Sequence, residues 1–243
     1  MEEEIKKALG IEDVYLFETV TSTNDIAKKL ASNNRSALIL ANVQTKGRGR
    51  FGREWYSPEG GLWFSILFSP KNHRELSCLT LLSALSIREA IERITHLPSL
   101  IRWPNDVVYN NKKLAGVLSE TSKQAIIIGM GVNVNQEEFP PSLPDATSLR
   151  IETRRVWDTK PLLLEILLAF RRYYEIFEGE GFETLRKDVK RYSSLLSKFV
   201  SIDFGEKRLT GTVIDIDEKG RLVFRSESGR LLTLSSGEVK EIR

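Results

Sequence analysis

VVYNNKKLAGVLSE, residues 107–120, reads as two strand-forming runs that meet at Asn110-Asn111-Lys112. Asparagine tolerates the left-handed backbone of a tight hairpin turn, so the two runs should pair, with Lys113 where the second strand begins. Outward from this hairpin, DVYLFETV (13–20), ALILANV (37–43), GLWFSILF (61–68) and AIIIGMGV (125–132) have the length and the β-branched or aromatic content of strands. Between them, Ile87, Ala90, Ile91 and Ile94 recur at the spacing of one helix face. A longer stripe runs through Leu163, Ile166, Leu167, Phe170, Tyr174 and Phe177, with Pro161 suited to the first turn and Gly179 to the end. Strands alternating with helices predict an α/β or α+β domain.

The style changes after about residue 195. FVSIDF, RLTGTVIDID, GRLVFRS, RLLTLSS and EVKEIR are short strand-like pieces divided by Gly, Glu-Lys and Ser-Gly. They predict a small β-barrel, and the chain divides into a main domain over 1–195 and a second over 196–243. The 243 residues suffice for one domain with a core and a small accessory domain. A content of 41% hydrophobic and 28% charged residues excludes a disordered chain.

The start, MEEEIKKALG, lacks the basic end and apolar run of a secretory signal, and no apolar stretch approaches a membrane span. The expectation is a cytoplasmic protein without a membrane partner. One cysteine and two histidines leave neither an internal disulfide nor a Cys/His metal site, and Cys78, in an apolar helix-like segment, is expected to pack in the core. The net charge of +3 is too small to point to nucleic acid.

Local clustering says more. KGRGRFGR, residues 46–53, holds three glycines and four cations with no acid until Glu54. It fits neither the phosphate-binding Walker loop nor the dinucleotide fingerprint. Glycines 47, 49 and 52 would let the backbone approach a ligand, while Lys46, Arg48, Arg50 and Arg53 supply donors to phosphate or carboxylate. Without an anion, four like charges on a glycine chain should repel and move. A solvated basic loop is the alternative, but two strands flank the segment and tether it over a sheet.

Ser22, Thr23 and Asn24 precede DIAKKLA, a short amphipathic helix. They suit helix capping, and equally a polar, uncharged ligand group such as a urea or an amide. In RWPNDVVYNNKKLAG (102–116), Asn105 and Asp106 follow Pro104 at a bend and the hairpin returns Lys113 toward the same end of the sheet. A surface ion pair is the plain reading, but charges embedded in aromatic and β-branched sequence need a purpose. In GMGVNVNQ (129–136) two glycines permit close backbone approach, and Asn133 and Asn135 lie on one side of an extended chain.

In order, STN at 22–24, Gln44, KGRGRFGREW at 46–55, GGLWFS at 60–65, WPND at 103–106, KLAGVL at 113–118 and GMGVNVN at 129–135 resemble the biotin protein ligases over nearly the whole chain. The resemblance implies an α+β fold, a catalytic domain with a mixed β-sheet packed against helices (biotin/lipoate ligase-like), followed by a small SH3-like β-barrel. It implies that biotin and ATP give biotinyl-5'-AMP and pyrophosphate, and that biotin then passes to one lysine of a biotin carboxyl carrier protein, with Mg2+ accompanying ATP. It assigns Ser22, Thr23, Asn24, Gln44, Arg48, Gly49, Arg50 and Lys113 to biotin. To the adenylate or ATP it assigns Arg48, Arg50, Trp55, Asn105, Lys113 and Asn133. The catalytic set is Lys113, Arg50 and Asp106, with Asp106 left open between the ATP metal and the attacking lysine amine; no protein-held metal is implied.

Many members carry lysine before WPND where this chain has Arg102, which is therefore kept out of the catalytic set. Only 21 residues precede Ser22, too few for the DNA-binding domain of the family's bifunctional branch, so a ligase without the repressor is expected. A homodimer is left open. Two alternatives stand beside this reading. A lipoate protein ligase runs the same chemistry but would want an apolar head pocket. A nucleic-acid-binding module would use GRGR as a phosphate clamp, yet residues 196–243 hold nine Lys/Arg against eight Asp/Glu, a poor footprint for it.

Overall fold

The computed structural model describes residues 2–31, 35–71, 75–204 and 207–241. The apolar run at 37–43 becomes β2 (Ala37–Gln44), parallel to β1 (Asp13–Val20) and antiparallel to β3 (Leu62–Phe68). The remaining strands are β4 (Leu100–Arg102), β5 (Asp106–Tyr109), β6 (Lys112–Ser122) and β7 (Ala125–Val132). The order β1-β2-β3-β7-β6-β5-β4, with only the first pair parallel, makes a mixed sheet.

Both faces of β2 are covered, which is why it reads as a continuous apolar run instead of an alternation. Ala37, Ile39, Leu67 and Ile127 pack with Ala27 and Ala31 beneath α2 (Thr23–Leu30). Leu38, Phe64, Ile66 and Ile128 face the other way, into the core shared with α3 (Leu76–Thr95) and α5 (Thr159–Glu180). Helices α1 (Glu2–Leu9) and α6 (Phe182–Arg191) pack against α5, and a short α4 (Leu149–Thr153) follows β7. Cys78, in the first turn of α3, is buried as expected. No described helix is long and apolar enough to cross a membrane.

The hairpin turn is tighter than the sequence predicts. Asn110 and Asn111 alone form it, with φ of +48° and +63°, and Lys112 already belongs to β6. Two successive left-handed residues match the twist of the flanking strands. Helix α5 runs past Gly179 to a cap at Gly181, whose φ of +77° is the left-handed position that glycine favours. Phe177, in the last turn, lies inside the core, where a buried aromatic of this kind contributes about 1.5–3 kcal/mol.

The tail forms β8 (Phe199–Phe204), β9 (Lys207–Ile216), β10 (Leu222–Ser226), β11 (Leu231–Leu234) and β12 (Glu238–Glu241). They make a five-stranded antiparallel sheet in the order β11-β10-β9-β8-β12, consistent with a small barrel-like domain. Ile242 and Arg243, the end of EVKEIR, lie outside the described residues. The tail's inner residues Val200, Ile202, Val213, Leu222 and Phe224 are fully buried and continue the main core. Where the tail meets the rest of the chain, Trp103 Nε1 donates to the Gly220 carbonyl at 2.9 Å and Ser77 Oγ of α3 donates to the Lys219 carbonyl at 2.6 Å.

Candidate active site

Strand register builds the floor of a cavity of about 540 Å³. Paired residues in neighbouring strands share a face, so Trp63, Gly131, Gly116 and Asp106 form one row across β3, β7, β6 and β5. Ser65, Gly129 and Leu118 form the next. The glycines are what admit larger groups: a Cβ on Gly131 would fall 2.3 Å from Trp55 Nε1, and one on Gly129 would fall 2.2 Å from Asn24 Oδ1. On Gly116 it would meet Trp55 and the Lys113 side chain at 3.1–3.2 Å.

Asn24 and its neighbours sit at the N-terminus of α2. Ser22 occupies the cap position with extended backbone, yet its hydroxyl caps no helix N–H, and it is buried with Thr23 and Asn24. The Thr23 N–H, one of the donors a helix start leaves over, donates to Gln44 Oε1 at 2.9 Å, and Gln44 Nε2 donates to Ser57 Oγ at 2.9 Å. Asn24 Nδ2 donates to Glu120 at 2.8 Å, while Ser65 Oγ lies 2.6 Å from Asn24 Oδ1 and 2.7 Å from Thr23 Oγ1. Such a fixed polar lining suits a compact group carrying both donors and acceptors.

A second part of the cavity is cationic. Lys113 Nζ stands 2.7 Å from Asp106 Oδ1 as an ion pair without hydrogen-bond geometry, and 4.9 Å from the centre of the Trp55 ring. Arg102 reaches the other Asp106 oxygen at 3.1 Å. Arg50 donates to Asn105 Oδ1 and to the Gly237 carbonyl, each at 3.2 Å. Burial holds the Arg50 guanidinium below its ordinary pKa, against the opposing pull of Asp106. Three cations thus gather around one carboxylate, and the excess positive charge favours an anion. Asn133, buried, donates through Nδ2 to the Thr147 carbonyl at 2.9 Å and to the Lys113 carbonyl at 3.3 Å, fixing the backbone that carries Lys113.

All twelve residues proposed from the sequence line this one cavity, Gly49 and Trp55 among them. The basic loop differs from expectation. It has a definite form, closed by hydrogen bonds from Gly49 N to the Arg53 carbonyl and from Trp55 N to the Gly47 carbonyl, and acids elsewhere in the chain pair with two of its four cations. Arg48 pairs with Asp25 at 2.6 Å and Glu120 at 3.3 Å, and Arg53 pairs with Glu238. Of its glycines, Gly47 is needed because a Cβ would fall 2.4 Å from the Trp55 carbonyl, and Gly52 because its φ is +72°; a Cβ on Gly49 would make only ordinary contact.

Sequence reasoning missed Ser65, Glu120, Gly237 and the contact of Arg102 with Asp106. Ser65 alone had a signal, as a lone hydroxyl within the apolar run LWFSILF. Gly237 reaches the site only through the fold of the tail.

Residues 16–133 match the biotin/lipoate A/B protein ligase family, and residues 200–240 match the biotin protein ligase C-terminal domain. The chain is 33% identical over 224 residues to the bifunctional ligase/repressor BirA of Bacillus spizizenii, covering 87% of this chain and 69% of that one. It is 31% identical over 222 residues to the biotin--[acetyl-CoA-carboxylase] ligase of Paracoccus denitrificans, covering 86% and 92%. Among solved structures, the biotin protein ligase of Aquifex aeolicus in complex with biotin and ATP superposes with a TM-score of 0.85 at 37% identity, over 96% of this chain and 99% of that one. On this combination of sequence, fold and domain pairing, the chain belongs to the biotin protein ligase family.

Proposed function

We propose that this cavity joins biotin to ATP and then hands biotin to a lysine of a biotin carboxyl carrier domain. The observation that carries this reading is the joining of two chemistries in one space: a neutral hydrogen-bonding end at Ser22, Thr23, Asn24 and Gln44, and a cationic end at Lys113, Arg50 and Arg102. A ureido ring suits the first. A carboxylate meeting a triphosphate suits the second, since two anions approach only where cations offset their repulsion.

In the first step a carboxylate oxygen of biotin attacks the α-phosphorus. The bond to the bridging oxygen of the β-phosphate breaks, and pyrophosphate leaves with that electron pair. Lys113 and Arg50 are assigned to the charge that builds on the phosphoryl oxygens. In the second step the carrier lysine, as free amine, attacks the acyl carbon of the mixed anhydride, AMP leaves and the amine gives up a proton. The loop over 46–55 shields the anhydride from water in between. Asn105 and Asn133 hold Arg50 and the Lys113 backbone in place, and Trp55 offers an aromatic face beside Lys113.

Magnesium enters as the companion of ATP. Among the described residues no group of three or more His, Cys, Asp or Glu could hold a metal. The donor set, one carboxylate at Asp106 between two cations, fits an ion that arrives on phosphates and keeps its waters rather than a resident one.

The reading is tested by pyrophosphate release. Protein with MgATP and biotin should release pyrophosphate, and lipoate in place of biotin should give none. Release with lipoate but not biotin overturns the substrate assignment, and a salt-dependent gel shift with nucleic acid but no release under either condition overturns the reaction class.

A further inference from the structure

Glu120 is the point at which the neutral end of the cavity and the basic loop meet, although it does not itself line the cavity. One carboxylate oxygen accepts from Asn24 Nδ2 at 2.8 Å and lies 3.3 Å from Arg48 Nη2; the other lies 2.7 Å from Lys28 Nζ. Arg48 is drawn on by Asp25 as well, at 2.6 Å, so two cations and two carboxylates balance behind the ligand site.

The consequence for Asn24 follows from counting donors. Its amide has two N–H groups, and these are directed at Glu120 and, at 3.4 Å, at the Leu118 carbonyl. An ionised carboxylate only accepts, so it can face the NH2 end of the amide and not the oxygen. Burial pushes the Glu120 carboxyl up, but hydrogen bonds from Lys28 and Asn24 and the charge of Arg48 outweigh this and hold it below the usual range, so it stays ionised. The Asn24 oxygen, which accepts one bond from Ser65, retains its second lone pair. What Asn24 offers a ligand is thus an acceptor, and the ligand must supply an N–H.

We propose that Glu120 is a positioning residue for recognition of the biotin ureido group: it fixes the Asn24 amide with its oxygen as the open side, and ties Arg48 of the loop to the same carboxylate. The inference rests on the biotin reading above. Without Glu120 the orientation of the amide rests on Ser65 and the longer bond to the Leu118 carbonyl, which weakens its hold on the acceptor side, and Arg48 keeps only its pair with Asp25.

Calorimetric titration of wild type, Glu120→Leu and Glu120→Gln with biotin, and separately with ATP, tests this. Loss of a charge-assisted hydrogen bond should weaken biotin binding by about ten- to a hundredfold in Glu120→Leu. Glu120→Gln keeps an acceptor for Asn24 and should recover part of that loss, and ATP affinity should stay within about threefold in both, because Arg48, which is also assigned to the adenylate, keeps its 2.6 Å pair with Asp25. If Glu120→Leu does not fold, partial weakening for biotin alone in Glu120→Gln carries the test. Biotin affinity within about twofold of wild type in folded variants, or equal weakening for biotin and ATP, overturns the role of Glu120 while leaving the ligase reading intact. A wild type that binds no biotin removes that reading and this inference with it.

Discussion

Lys113 is the side chain on which the chemistry concentrates: it faces Asp106 at 2.7 Å, lies beside the Trp55 ring and is the second residue of the hairpin's second arm. Removing an electrostatic donor from such a site costs about a hundred- to a thousandfold in rate. Lys113→Ala and Arg50→Ala should each lose pyrophosphate release on that scale while circular dichroism stays unchanged; full activity in either would strike it from the catalytic set. A subtler probe is Gly131→Ala, whose Cβ would fall 2.3 Å from Trp55 Nε1. It should push Trp55 off Lys113 and destabilise the protein by about 1–3 kcal/mol, the usual cost of overpacking, read by thermal melting and tryptophan fluorescence. Cys78 gives a control on the core. Burial pushes its thiol up to about 12, with a smaller push from Glu75, so at pH 8 it remains protonated and should resist thiol reagents until the protein is unfolded. Rapid labelling of native protein would contradict the packing of α3.

At the scale of elements, the hairpin is the feature on which the site depends, since it carries Asp106 on one arm and Lys113 on the other. Asn111 holds φ at +63°. Asn111→Gly should be tolerated, whereas Asn111→Val should cost about 1–2 kcal/mol, the penalty of a left-handed backbone for a side chain that cannot relieve it. Denaturant titration of the two variants reads the difference. This turn was legible in the sequence because asparagine pairs have few other uses between two apolar runs. Strands 13–20 and 125–132 were legible to the residue because their ends coincide with polar or turn residues. The three-residue β4 was not, being too short for any periodicity. Helix α6 went unread although Phe182, Leu185 and Val189 are spaced as one face, because three apolar positions in ten are also what a solvated segment shows. Every proposed site residue reached the cavity, since chemistry-bearing types in ordered blocks survive ignorance of their contacts. Glu120 and Gly237 did not stand out, because their roles come from partners 96 and 187 positions away.

For the whole molecule, the question is whether the tail is an appendage. We propose a division near residue 195, but the described contacts cross it at the site itself: Gly237 receives Arg50, Glu238 pairs with Arg53, and Gly220 receives the indole of Trp103. The chain cut after residue 195 should therefore expose Trp103, aggregate or melt well below the full chain, and make no adenylate. A stable, active fragment would show that the second sheet is dispensable. The central claim, that one cavity forms a biotinyl adenylate under Lys113 and Arg50 and keeps it from water, is tested most directly by mass. Protein incubated with biotin and MgATP, desalted and analysed by native mass spectrometry should carry one biotinyl-5'-AMP, and Lys113→Ala should carry none. A wild type that emerges bare, or a Lys113→Ala variant that emerges equally loaded, would contradict the account.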